Sequence, residues 1–313
     1  MKRNPAVTRR CFPGWRSLTL ACALLVIALQ GCGPGETAAT PEEQIREGWR
    51  RYRLSEFGDA LKVFESVTAS QPTGSEASLQ GLYGQASCWN HRRDGRDSAK
   101  AVSLYEKVIA QAPENPLASW CALDIVRAKH LAPADQERDY PALARAYGEV
   151  YRKYPETPAG EEAFVYQTRL TLATADADQA RKSLEEVQTF LDRHPNTPFR
   201  SPLYILMAEA LHRLNEEEKR LDYMIKAIQS REVDPKTPFF ELSTAYWNIA
   251  YAAEFEAGNF AVAREYYHRL IDEFPRESRV FAARKALARM DAVEADLREG
   301  RPLPPQYLGG ALQ

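Results

Sequence analysis

The feature that most constrains the fold of this 313-residue chain is a proline that recurs about every 40 residues. The intervals between successive members of the series are 41, 42, 40, 40 and 40 residues. A proline cannot continue an α-helix, because it lacks the N–H donor and its ring clashes with the preceding turn. A regular series of helix ends predicts an array of repeated helical units. The series consists of Pro72, Pro113, Pro155, Pro195, Pro235 and Pro275.

Most of these prolines are followed three positions later by a second proline, as in the pair Pro155 and Pro158. The residue before the second proline is Asn or Thr, here Thr157, which can cap the next helix. The second proline then fits the first helical turn, where no partner for an N–H group is needed. Where the second proline is absent, the candidate caps are Ser75 and Ser278.

Apolar residues recur twelve, eight and five positions before the prolines, as in Ala101, Tyr105 and Val108. Spacings of three and four residues place them on one face of a helix. Each unit is therefore predicted to be a pair of helices, and one further helix follows the last proline. The predicted pairs are 42–54 and 56–70, 75–91 and 97–111, 117–131 and 140–154, 159–174 and 177–193, 202–214 and 216–230, and 239–257 and 260–274, followed by the helix 278–298.

The last unit has an order of small and aromatic residues that resembles the tetratricopeptide repeat family. The residues are Trp247, Gly258, Phe260, Ala263, Tyr267 and Pro275. The resemblance covers residues 42–298 and implies an all-α fold, a right-handed solenoid of about six tetratricopeptide-like helical hairpins. The helix 278–298 has one apolar and one charged face, as a C-terminal capping helix requires. Residues 299–313 are predicted to be a loose tail.

The N-terminus has the composition of a secretory signal. Residues 1–31 contain five basic residues and no acidic one, and their apolar stretch from Leu18 to Leu29 is 12 residues long. A membrane-spanning helix needs about 20 apolar residues. A basic start and a short apolar run instead indicate a signal peptide that is removed. Residues 32–41 are rich in Gly, Pro, Thr and Ala and are predicted to be a flexible tether.

The sequence Leu29-Gln30-Gly31-Cys32 resembles the lipobox of bacterial lipoproteins. That resemblance implies cleavage before Cys32, a diacylglyceryl thioether on its sulfur and acylation of its amine. Several acyl chains anchor a protein to a membrane far better than one. Gly33 stands where an Asp would favour retention at the inner membrane, so we expect a lipid anchor in the bacterial outer membrane, facing the periplasm. In an organism with one membrane, the anchor would lie in the plasma membrane.

Charge and motifs exclude several functional classes. Without residues 1–31, the chain has 36 basic and 43 acidic residues, which argues against a nucleic-acid partner. Motifs of common hydrolases, zinc proteases and nucleotide-binding proteins are absent, so we expect no catalytic residue, no metal, no cofactor and no small-molecule substrate. Cys88 and Cys121 could form a disulfide in an oxidising periplasm, but two buried thiols are the favoured interpretation.

Candidate partner-binding residues are aromatic side chains on the first helix of each pair. In tetratricopeptide repeat proteins, the first helices line a concave groove that binds peptides or partner domains. Aromatic side chains in such a groove make good anchors. Because the same repeat pattern also places aromatics in the core, a core role is favoured for any single one. The candidates are Trp89, Trp120, Tyr166, Tyr204, Trp247 and Tyr251.

The combined pattern is similar to the outer-membrane β-barrel assembly lipoprotein family. It consists of the lipobox, the repeat units and an aromatic–proline helix end such as Tyr154-Pro155, followed by Ala163. This resemblance implies a non-enzymatic scaffold or adaptor that binds envelope proteins or peptides. One alternative is a lipoprotein of pilus or secretin assembly. Another, from a different class, is a periplasmic glycan hydrolase whose six hairpins close into an (α/α) toroid.

Overall fold

The computed structural model describes residues 39–91, 95–131, 137–231, 239–302, Pro304 and Tyr307, with the backbone alone for residues 239–241. The described residues form 13 α-helices and no strand, as the proline series predicts. The predicted signal peptide, Cys32 and most of the tether lie outside them. In chain order the helices are α1 (Pro41–Arg53), α2 (Phe57–Ser70), α3 (Glu76–His91), α4 (Ser98–Gln111), α5 (Pro116–His130), α6 (Tyr140–Lys153), α7 (Pro158–Ala173), α8 (Ala177–Arg193), α9 (Arg200–Arg213), α10 (Glu217–Gln229), α11 (Phe239–Phe255), α12 (Phe260–Glu273) and α13 (Val280–Arg298).

Helix capping explains most of the helix starts. The Asn115 side chain accepts a hydrogen bond from the Leu117 amide at 2.8 Å, and Pro116 occupies the first turn. Thr157 caps α7 in the same way through the amide of Gly160, at 3.1 Å. These two starts confirm the predicted use of Asn or Thr before the second proline.

Two predicted caps are wrong. Thr197 does not cap a helix, because α9 begins only at Arg200 and the Thr197 hydroxyl accepts from the Phe199 amide instead. Ser278 is also not the cap of α13, since the Glu277 carboxylate accepts from the Arg279 amide at 2.6 Å. The Thr197 hydroxyl also donates to Glu161 at 2.7 Å, and the Ser278 hydroxyl donates to Glu277 at 3.3 Å, so neither side chain bonds to an amide of the helix that follows it.

The helices stack as antiparallel hairpins into a solenoid. Among the described residues, each helix packs against the next one along the chain. Successive first helices also pack against each other, from α1 to α3, α5, α7 and α9, whereas successive second helices form no comparable interface. The first helices therefore line the inner, concave side, and the second helices spread apart on the outer side. No interface joins α1 to α13, so the described helices form an open array and not a closed toroid.

The apolar residues eight positions before the closing prolines form the centre of the core. Phe64, Tyr105, Tyr147 and Tyr267 are all completely buried in the described structure. Each lies on a second helix and packs against first helices of its own unit or the next. The fifth unit departs from the series, because the residue eight positions before Pro235 is the small Ala227, and Ile225, two positions earlier, is only partly buried.

Cys88 and Cys121 are both buried and unbridged, which confirms that the two residues act as small apolar side chains. Burial raises the pKa of the Cys121 thiol, and the negative charge of Asp124 raises it further. None of the described helices is long and apolar enough to cross a membrane.

The C-terminal tail is not loose where the structure describes it. Tyr307 is buried against Phe255 and donates a hydrogen bond to the carboxylate of Glu254 at 2.6 Å. Glu254 is completely buried, and it also accepts from Arg289 of α13 and Tyr267 of α12. Burial raises the pKa of Tyr307 to about 12, so this hydroxyl remains a donor at neutral pH. The tail thus closes the last unit together with α13.

Close packing of the first two units depends on two glycines. The Phe64 ring of α2 lies between Gly48 of α1 and Gly84 of α3. A Cβ atom added at Gly84 would lie 2.6 Å from three carbon atoms of that ring. The absence of a side chain at both positions lets three helices approach one buried aromatic ring.

We expect Gly84→Ala to destabilise the protein by about 1–3 kcal/mol, because the added methyl group overpacks the Phe64 ring. Gly58→Ala is the matched control, since nothing lies within 4 Å of a Cβ added there. In a helix this control change should be neutral or stabilising, by about 0.5 kcal/mol. Urea denaturation of both variants measures the difference, and equal stability of the two would contradict the packing described.

Candidate protein-binding groove

The candidate site is the concave surface formed by the first helices α1, α3, α5, α7, α9 and α11. Residues on these helices project from adjacent units onto one surface because successive first helices pack side by side through α9. Concave surfaces of this kind are the extended binding surfaces of solenoid proteins. The arrangement can therefore bind an elongated protein segment across several units.

A polar ladder crosses three successive first helices. Tyr83 of α3 donates a hydrogen bond to Asp124 of α5 at 2.9 Å. Arg127 of α5 pairs with Asp124 at 3.1 Å and with Glu162 of α7, and its guanidinium lies over the ring of Tyr166. These charged groups are mostly buried, so their pairing fixes the relative position of the units.

The charges in this polar ladder shift the pKa values of its members. Burial lowers the pKa of Arg127, but the negative charges of Glu162 and Asp124 outweigh burial and raise it above its usual range. Burial raises the pKa of Tyr83, and the adjacent Asp124 carboxylate raises it further. Arg127 is therefore a permanent cation and Tyr83 a permanent donor. The sequence did not predict this ladder, although Tyr83 and Asp124 are separated by one repeat length of 41 residues.

The aromatic side chains predicted to bind partners differ in exposure. Tyr251 is exposed, with 46% of its surface accessible, and its ring packs beside Phe255. The other five side chains are half-buried and contact the hydrophobic core, so they contribute mainly to packing. They are Trp89, Trp120, Tyr166, Tyr204 and Trp247. Tyr251 is therefore the most exposed of the six. The role of all six residues in partner binding stays a prediction.

Stacking accounts for the partial burial of Tyr166. Its ring stacks on Tyr147 at a centroid distance of 5.0 Å, and His130 meets it edge-on. The Nδ1 atom of His130 lies 3.0 Å from the Tyr147 hydroxyl. Burial lowers the pKa of His130, and the positive charge of Arg138 lowers it further. A neutral His130 therefore completes a packed aromatic cluster.

The concave wall opens between α9 and α11. These two first helices form no interface comparable to the earlier ones in the described structure. The opening is an apolar cleft of about 200 Å³ lined by Ile205, Ala208, Met224, Leu242 and Ile249. Ile205 is 51% exposed, although it is apolar. The sequence does not predict this cleft, which lies where the fifth unit departs from the series of large buried residues.

One side-chain cluster has the composition of a metal site. His212, Glu217 and Glu256 bring potential ligand atoms within 4.8 Å of one another. The guanidinium of Arg220 contacts all three residues, at 2.8 Å for Glu217 and 3.1 Å for the Nδ1 atom of His212. The positive charge of Arg220 therefore compensates this cluster, which joins the fifth unit to the sixth.

Comparisons with known proteins agree with the repeat pattern in one unit. The family model of the tetratricopeptide repeat matches residues 244–276, which include most of α11 and all of α12. A solved structure of the assembly chaperone of RpL4 (Acl4), residues 1–338, is similar at 12% sequence identity and a TM-score of 0.46. The similarity covers 82% of this chain and 99% of that one. No curated protein matches the sequence.

Replacing Arg127 with Leu should destabilise the protein by about 1–3 kcal/mol, because it leaves two largely buried carboxylates without their cation. Arg181→Leu is the control: its ion pair with Asp178 is 3.3 Å long, and both side chains are largely exposed. Exposed pairs of this kind contribute about 0–1 kcal/mol. Thermal unfolding of both variants checks the difference. If Arg127→Leu were as stable as the control, the polar ladder would not hold the units together.

Proposed function

We propose that this protein is a non-enzymatic scaffold that binds protein partners in the concave groove. The observation that carries the proposal is the continuous wall of first helices, which leads to the apolar cleft beside Ile205. Contiguous apolar surface that is rimmed by polar residues marks interaction sites. The cleft beside Ile205 has such an apolar lining, and Tyr251 exposes a further ring that a partner segment would cover.

We further propose that the scaffold is anchored by lipid in the bacterial outer membrane and faces the periplasm. This proposal rests on the lipobox that ends at Cys32, on the basic and apolar residues before it and on Gly33 after it. The tether 32–41 would hold the solenoid away from the bilayer. Among envelope pathways we favour outer-membrane protein assembly, as the sequence resemblance implies.

A photo-crosslinking amino acid placed at Tyr251 tests the groove in living cells. We expect it to crosslink to a protein partner, because this residue lies exposed on the first helix α11. The same amino acid at Glu185, exposed on the second helix α8, is the matched control and should give no such product. Equal products from the two positions, or none from Tyr251, would contradict a partner-binding groove.

Mass spectrometry of the crosslinked partner distinguishes the pathways. Barrel-assembly components or unfolded outer-membrane proteins would support the favoured pathway. Pilus or secretin subunits would replace that pathway and leave the scaffold proposal in place.

Cys32→Ser should abolish lipid attachment, because the thioether requires the sulfur of Cys32. Metabolic labelling with a radioactive fatty acid, followed by purification of the C-terminally tagged chain, measures the loss. Cys88→Ser is the control, since Cys88 is buried and should not carry lipid. Fatty-acid label that persists in Cys32→Ser would contradict the proposed anchor.

A further inference from the structure

The outer face of the capping helix carries an exposed aromatic ring beside two basic residues. Phe281 is 68% exposed, the largest exposure among the large apolar side chains of the described structure. Arg284, Lys285 and Ala288 follow it at three, four and seven positions, which places all four residues on one face of α13. All three of these following residues are exposed as well. We name the four residues the basic cap patch.

The two cations of this patch have no anionic partner within the described residues. Lys285 lies over the ring of Phe281, with its Nζ atom 4.5 Å from the ring centre. The nearest acidic residues along the chain are engaged elsewhere: Glu277 pairs with Arg279, and Asp291 pairs with Arg264. The positive charge of the patch is therefore not neutralised by its own helix.

Helix stability does not explain where these cations lie. The N-terminal end of a helix is the positive end of its dipole, so acidic residues are favoured there and basic ones near the C-terminal end. The first turn of α13 contains no acidic residue, and Arg284 and Lys285 lie in the second turn, where the dipole effect has fallen off and does not account for them.

We propose that the basic cap patch docks on an anionic membrane surface, with Phe281 in the interface and the two cations on lipid phosphates. Basic residues beside an exposed aromatic ring are the composition of interfacial membrane contacts. A protein partner would need a pocket to receive Phe281, whereas a bilayer accepts a ring that projects from an exposed helix face.

The contact depends on the proposed lipid anchor at Cys32 for its strength and its location. Two cations and one ring bind a membrane weakly, but an anchor at the other end of the chain makes the second contact intramolecular and so raises its effective concentration. With both contacts made, the solenoid would lie along the bilayer instead of standing on its tether.

A fluorescent label at Ala292→Cys tests this contact in the lipidated chain on vesicles. Ala292 is exposed on α13 and leaves the patch intact, and the native Cys88 and Cys121 are buried and should not react. The vesicles contain phosphatidylcholine with or without phosphatidylglycerol, together with a nitroxide lipid that quenches fluorescence at the interface. We expect quenching only with phosphatidylglycerol. A label at Ala110→Cys, exposed on α4, is the control and should not be quenched.

Charge reversal separates the patch from the anchor. The variant R284E/K285E should still float with vesicles through its lipid, but its label at position 292 should not be quenched. The variant R181E/K182E changes the net charge equally at two exposed residues of α8, so it is the matched control and should be quenched like the unaltered chain.

A chain that begins at Gly33 tests the patch without the anchor, because it keeps every described residue and lacks the lipid site. This chain should bind phosphatidylglycerol vesicles about 30-fold more strongly than the same chain with R284E/K285E. Sedimentation with vesicles at high lipid concentration measures the ratio.

The possible failures are distinguishable. Equal quenching at Ala292→Cys with and without phosphatidylglycerol, or unchanged quenching in R284E/K285E, would overturn the proposal and leave the patch to an acidic protein partner. Equal loss of quenching in R284E/K285E and R181E/K182E would also overturn it, because the net charge of the chain, and not the patch, would then determine membrane contact. Loss of flotation on phosphatidylcholine vesicles would contradict the lipid anchor alone, because the chain that begins at Gly33 still tests the patch.

Discussion

A helical hairpin of this chain has more apolar surface than its two helices can cover, and burial of that surface between neighbouring hairpins holds the molecule together. Phe64, Tyr105, Tyr147 and Tyr267 show how this works, since each of these fully buried rings projects from a second helix toward first helices. Burial of a large side chain stabilises a protein by about 1.5–3 kcal/mol, so no unit is expected to be stable alone. The curvature follows from the same packing, because among the described residues successive first helices pack against each other through α9, whereas successive second helices form no comparable interface.

Polar contacts determine how neighbouring units align in this apolar stack and how the stack ends. The ladder that centres on Arg127 links three first helices, and the Arg220 cluster links the fifth unit to the sixth. At the C-terminal end, Glu254 binds Arg289 and Tyr307, so the capping helix and the tail are fixed by one buried carboxylate. Buried charges that are paired in this way stabilise little by themselves but are costly to break. They therefore select one arrangement of units and leave the concave surface in a defined shape for a partner.

The sequence predicts the helices well and the contacts between units poorly. Proline and cap signals act within a few residues, so nearly all helix bounds follow from them. Thr197 is an exception because a turn at residues 198 and 199 precedes the start of α9 at Arg200. Contacts such as Tyr83 with Asp124 depend on how one repeat sits on the next, which no local pattern contains. The cleft beside Ile205 and the burial of Tyr307 could not be predicted for the same reason, because both depend on contacts between elements. Of the predicted aromatic anchors, Tyr251 is exposed, and the repeat pattern could not separate it from the five that pack into the core.

If a protein partner binds on the first helices, it must shield their backbone amides from solvent. Hydrogen–deuterium exchange of the purified chain, alone and in complex with the partner identified by crosslinking, measures this shielding. We expect slower exchange in α9 and α11 around the apolar cleft, and unchanged exchange in the outer helices α4, α6 and α8. Protection confined to those outer helices would contradict this expectation and would place the binding surface on the convex side of the solenoid.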